Sequence, residues 1–155
     1  MRRTKSRMAI AMILIALLLI FIWGNSCLPA KMSAAFSGWV KELLSFLFGR
    51  STEDAQTGHG LLRKLAHFGE FALLGMCLCW LFSMLGKKFL LPLFCGFLVG
   101  CTDETIQCFI PDRGPAFTDV LIDTAGVAVG IGLLLGMVAI YKRKNKMKYL
   151  EETKQ

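Results

Sequence analysis

The sequence predicts an all-α integral membrane bundle of four transmembrane helices plus one outer amphipathic helix, with both termini in the cytoplasm. Three observations predict it. Of 155 residues, 55% are hydrophobic and only 19% charged, against roughly 25% charged in soluble domains. The apolar residues fall into four long runs, each close to the ~20 residues that cross a bilayer. The charges separate along the chain. Arg2, Arg3, Lys5, Arg7, Lys87, Lys88, Lys142, Arg143, Lys144, Lys146, Lys148 and Lys154 lie in the two tails and one tight turn, with only Glu151 and Glu152 among them. A positive-inside topology produces this pattern.

These observations also exclude function classes. No polar stretch is long enough for a large soluble catalytic domain. The net charge of +7 does not signal nucleic acid, because the cations are split among three places and do not form one contiguous footprint.

Helix one covers about residues 8–24. Met8 to Trp23 is nearly all Ile, Leu, Met and Ala, and Trp23 closes it as an interfacial anchor would. A cleaved signal peptide is the competing reading. No A-x-A site follows closely, the run exceeds a usual signal core, and Gly24-Asn25-Ser26-Cys27 is a poor lipoprotein box, so a retained helix is expected.

Segment 31–48 repeats Phe36, Trp39, Val40, Leu43 and Leu47 at helical spacing, with Ser33 placed to cap it. The expectation is an amphipathic helix on the outer surface; a packed loop helix is the bland alternative. Ser51–Gly60 reads as a polar loop. Helix two covers 61–86, helix three 89–110 and helix four 120–141. Residues 1–7 and 142–155 are basic cytoplasmic tails. Five of the six cysteines fall inside apolar runs, where a thiol packs as a small apolar group.

Depth along the helices carries the functional signal. At about 1.5 Å per residue, His67 and Glu70 lie roughly 30 and 25 Å from Lys87. Asp103, Glu104 and Gln107 lie roughly 22–28 Å beyond Lys88, and Asp123 roughly 28 Å before Lys142, with Asp119 about 6 Å higher. Three helices thus place ionisable groups in one outer layer. Facing agrees: Arg63, His67, Glu70 and Leu74 share one stripe; Gly96, Gly100, Asp103 and Gln107 another; Asp119, Asp123, Gly126 and Gly130 a third. Glycines at small-xxx-small spacing let helices approach, so the polar groups are expected to face inward, where they mark a site by default.

Each group has a structural alternative. Arg63 and Lys64 suit interfacial snorkelling. His67 and Glu70 suit an i, i+3 pair. Asp103 and Glu104 suit capping or pairing with Arg113, and Asp119 suits a helix cap. Ile110-Pro111-Asp112-Arg113-Gly114-Pro115 reads as a rigid turn that returns Arg113 toward the carboxylates.

Arg63-Lys64-Leu65-Ala66-His67-Phe68-Gly69-Glu70-Phe71 with Leu74-Gly75, then Asp103-Glu104-x-x-Gln107-x-Phe109-x-Pro111-x-Arg113, then Asp119-Val120 with Gly126 and Gly130, resemble the VanZ-like family of small bacterial membrane proteins. Ser26, Ser33 and Ser37 also resemble its N-terminal pattern. The resemblance spans roughly residues 10–140. Phe71, Asp112 and Asp123 stand where that family often has Tyr, Gly and Asn. It implies a bacterial cell-membrane protein, in some members linked to resistance to the glycopeptide teicoplanin, and implies no established reaction.

Three functions compete. The first is binding or modification of an outer-leaflet envelope component, an anionic lipid or a wall precursor. Arg63 and Arg113 would hold the anion beside Gln107, Asp119 and Asp123. His67 or Glu70 would act as acid or base beside Asp103 and Glu104, and Asp103, Glu104 or Asp119 would hold a divalent cation. The second is a non-catalytic scaffold or partner of an envelope enzyme or sensor. The third is a small transporter, disfavoured because the acids cluster at one side and no inverted repeat appears.

Overall fold

Long apolar runs broken by short turns leave the backbone one way to satisfy its hydrogen bonds in lipid, the helix. A computed structural model describes residues 2–28, 55–87, 89–111 and 116–152, and every regular element among them is α-helical. These are α1 (Arg2–Ser26), α2 (Ala55–Ser83), α3 (Leu90–Gln107) and α4 (Phe117–Glu152). The expected amphipathic segment 31–48 and Arg113 lie outside the described residues.

Among the described residues, three helices are long and apolar enough to cross a membrane: Thr4–Ser26, Lys64–Ser83 and Phe117–Met147. The sequence reading expects four, and α3 falls short. It has 18 residues, and its last turns carry Thr102, Asp103, Glu104, Thr105 and Gln107, which lower its hydropathy. The large exposed side chains, such as Ile13, Ile20, Phe94, Leu121 and Leu133, form the kind of surface that a bilayer covers and water does not tolerate.

Element boundaries shift from the sequence reading for local reasons. Residues 55–60, read as loop, form the first turns of α2. Asp119 does not precede α4 as a cap. It lies inside the first turn, where its N–H donates to Ala116 O (2.8 Å) and its charge complements the helix dipole. The basic C-terminal tail continues α4 as helix to Glu152.

The turn after α2 has a definite form. Gly86 adopts φ +75, Gly86 N–H donates to Ser83 O (3.2 Å) and Lys87 N–H to Phe82 O (2.9 Å). That is a Schellman cap, which needs a residue at ease in the left-handed region. It reverses the chain into α3.

Packing gives the chain direction. Ser26 at the end of α1 meets Gln107 at the end of α3. Lys64 of α2 meets Asp119 of α4. Helices α1 and α3 therefore run one way, and α2 and α4 the other. A Cβ on Gly126 would sit 2.5 Å from Phe68 O, and one on Gly130 would overlap Ala72 O. The two glycines seat α4 directly on the α2 backbone, the close approach expected of small-xxx-small helix pairs. Around this seam Ile22, Phe71, Leu74, Leu78, Cys79, Val127 and Ile131 form the core. Trp23, read as an interfacial anchor, packs against that core with its indole N–H enclosed.

Candidate functional site

The up-down-up-down course brings four helix segments to one end of the bundle: the end of α1, the N-terminal half of α2, the end of α3 and the start of α4. The basic start of α1, the Lys87 turn and the basic half of α4 lie at the opposite end. Helix α2 alone puts roughly 30 Å between His67 and Lys87.

At the first end, Ser26, His67, Asp103, Glu104, Gln107 and Asp123 are all buried. Asp103 is 0% exposed and Asp123 2%. Buried polar groups demand partners, and several are present. Gln107 Nε2 donates to Asp103 Oδ2 (2.8 Å) and lies 3.4 Å from Ser26 Oγ, linking α1 to α3. Glu104 Oε2 accepts the Ala116 N–H (2.9 Å), which ties the end of α3 to the entry of α4. Asp119 Oδ1 pairs with Lys64 Nζ (3.2 Å). The hydroxyls of Thr102, Thr105 and Thr124 each donate to a carbonyl one turn back, a self-contained arrangement.

Two carboxylates are less fully engaged. Asp103 Oδ1 and Glu70 Oε2 are buried and have no hydrogen-bond partner among the described residues. His67, Asp103 and Asp123 converge, so that one ligating atom from each lies within 4.8 Å of the others. Beside them is a cavity of about 10 Å³ lined by Lys64, His67, Glu104, Gln107, Asp119, Ile122 and Asp123. That volume holds about one water-sized species. Gly100 of α3 lies beside these groups, where an added Cβ would make ordinary contact with Asp123 and Phe71 at 3.5–3.7 Å.

The structure thus brings together His67, Asp103, Glu104, Gln107, Asp119 and Asp123. Glu70 shares the α2 stripe one turn deeper. Arg63 lies on α2, but its side chain is outside the described residues. Two site residues escape the sequence argument. Lys64, taken for an interfacial cation, lines the cavity and pairs with Asp119; its i, i+3 spacing from His67 puts its backbone near that stripe but does not fix where its long side chain turns. Ser26 ends the first apolar run and appears only in the resemblance, yet it is fully buried against Gln107.

The arrangement can neutralise a small cation, position a water and relay a proton between imidazole and carboxylate. It cannot, in this conformation, admit a whole head group. A larger ligand needs the Lys64–Asp119 pair to part. Lys64 is the more exposed partner at 41% of its side chain, and pairs near a surface are worth about 0–1 kcal/mol.

A family model for VanZ/LLP1 matches residues 10–140 of the chain. Comparison with curated proteins and with solved structures gives no match.

Proposed function

Because the chain belongs to the VanZ/LLP1 family, we propose that it is a multi-pass bacterial membrane protein whose outer polar pocket binds or modifies a cell-envelope component, contributing to glycopeptide (teicoplanin) resistance. In this reading α3 completes a fourth crossing, both termini are cytoplasmic and the pocket opens outward. The observation that carries it is the burial of His67, Asp103, Gln107 and Asp123 at the end of the bundle away from the basic residues. Ionisable groups buried at membrane depth are costly and mark functional sites, and a bundle needing only to hold together does so more cheaply with apolar residues.

The proposed roles rest on residue chemistry. Arg63 and Arg113 receive an anionic head group, an anionic lipid or a wall precursor, through the planar guanidinium. Lys64 and Asp119 stand at the entrance, and Gln107 and Asp123 position the polar part that enters. His67 or Glu70 serves as acid or base beside Asp103. Glu104 keeps the turn into α4 in place.

The test compares a host with and without the protein by mass spectrometry of envelope lipids and wall precursors, alongside teicoplanin susceptibility. The expected result is a changed head group or precursor that disappears in His67→Ala, Asp103→Asn and Asp123→Asn at equal membrane abundance. Full retention in all three overturns the site.

A non-catalytic scaffold is the second reading. It draws on the Gln107–Asp103 and Glu104–Ala116 hydrogen bonds, which in that reading serve packing alone. It expects the same variants to lose abundance and phenotype together.

A further inference from the structure

We propose that His67, Asp103 and Asp123 hold one divalent metal ion of the zinc or manganese kind. The three residues come from α2, α3 and α4, and their ligating atoms lie within 4.8 Å of one another. An ion about 2.0–2.2 Å from each nitrogen or oxygen ligand requires ligand atoms no more than about 4.4 Å apart. Small side-chain rotations close that difference.

Two further observations point to an occupant. Asp123 is 2% exposed and lines the cavity, and no hydrogen bond or ion pair reaches its carboxylate among the described residues. Asp103 is fully buried, with Oδ2 held by Gln107 and Oδ1 without a partner among the described residues. A carboxylate fixed through one oxygen with the other presented inward is how proteins orient a metal ligand. Two carboxylates buried together at membrane depth must take up positive charge, from protons or from a cation. A doubly charged cation supplies it in one step.

The donor set selects the class. One imidazole nitrogen with two carboxylate oxygens suits zinc, manganese or ferrous iron; an all-oxygen cage would suit calcium or magnesium. Three protein ligands leave at least one coordination position open, and the adjacent cavity of about 10 Å³ has room for the one water that would fill it. That is the layout of a reactive metal centre, in contrast to a closed structural one. Of Asp103, Glu104 and Asp119, the cation ligands expected from the sequence, Asp103 belongs to this trio, while Glu104 accepts the Ala116 N–H and Asp119 pairs with Lys64. The inference stands on the three ligands and holds whichever envelope component the pocket serves.

The experiment uses the full chain purified in detergent, stripped with chelator and titrated with Co²⁺ as a visible-absorbing probe, with Zn²⁺ and Mn²⁺ competing. The expected result is saturation at one Co²⁺ per chain, with d–d absorption and no thiolate-to-cobalt band. Asp123→Asn and Asp103→Asn each weaken binding at least ten-fold, and Thr102→Ala, which removes only a hydroxyl that donates to Leu98 O, leaves it within about two-fold. Size-exclusion profiles verify that the variants remain folded. The wild-type titration decides the matter alone if they do not: the absence of saturable binding near one equivalent overturns the proposal. So does a thiolate band, or binding that survives both Asp→Asn changes together. Co²⁺ binding with no change in envelope chemistry would retain the metal site and remove the envelope reading; the reverse pair of results would do the opposite.

Discussion

Single atoms decide whether the glycines of α4 tolerate change. At Gly130 an added Cβ overlaps Ala72 O, which is backbone and cannot swing aside. Gly130→Val is expected to destabilise the bundle by about 1–3 kcal/mol or more, read as a lower Tm in detergent. Gly69 has nothing within 4 Å of an added Cβ, so Gly69→Ala should stay within about 0.5 kcal/mol of the parent in the same assay. Gln107→Ala removes the donor to Asp103 Oδ2 and the link to Ser26, and should cost about 1–3 kcal/mol; a Tm equal to the parent's would show that Asp103 finds another donor. The stripes read from spacing already distinguish such positions. His67, Asp103, Gln107 and Asp123 share faces with Leu74, Gly96, Gly100 and Gly126, and helical periodicity makes that visible in the sequence. Spacing could not show that Lys64 turns in to meet Asp119, since a long flexible side chain has no fixed direction until a partner on another helix supplies one.

Helix ends are the least legible level, because propensity and hydropathy do not end together. Residues 55–60 are polar and glycine-containing, yet they extend α2, since a helix already nucleated by its apolar half adds turns at little cost. The last turns of α3 are the reverse case: helical, but too polar to be counted with the apolar runs. The α2–α3 turn is easier to read, because Gly86 before Lys87 and Lys88 is a stop signal with a physical basis. Gly86→Ala places a side chain at φ +75 and is expected to cost about 1 kcal/mol. Thermal unfolding monitored by size exclusion checks it; an unchanged Tm would mean that the turn reforms in another geometry.

For the molecule as a whole, the number of crossings is a question of parity. Among the described residues, three helices have the length and hydropathy to cross. If α3 crosses with them the termini share a side, and if it does not they lie on opposite sides. Fluorescent-protein and alkaline-phosphatase fusions at each end answer this: both ends should report cytoplasm, and a split result would take α3 out of the membrane. The charge asymmetry behind that expectation is plain in the sequence. The polar layer across the bundle from it is legible from depth and stripe on α2, α3 and α4, but the part α1 plays in it is not, because Ser26 meets Gln107 from far along the chain.

The seating of Gly126 and Gly130 on the carbonyls of Phe68 and Ala72 has a last consequence. With bare backbone against backbone, α4 has no room to slide along α2: a slip of one residue would drive a β-branched side chain such as Val127 or Val129 into the seam. Register between the two is all or nothing, like the teeth of a ratchet. His67 rides on one helix and Asp123 on the other, so their separation works as a fixed gauge that distant substitutions can break but cannot gradually adjust.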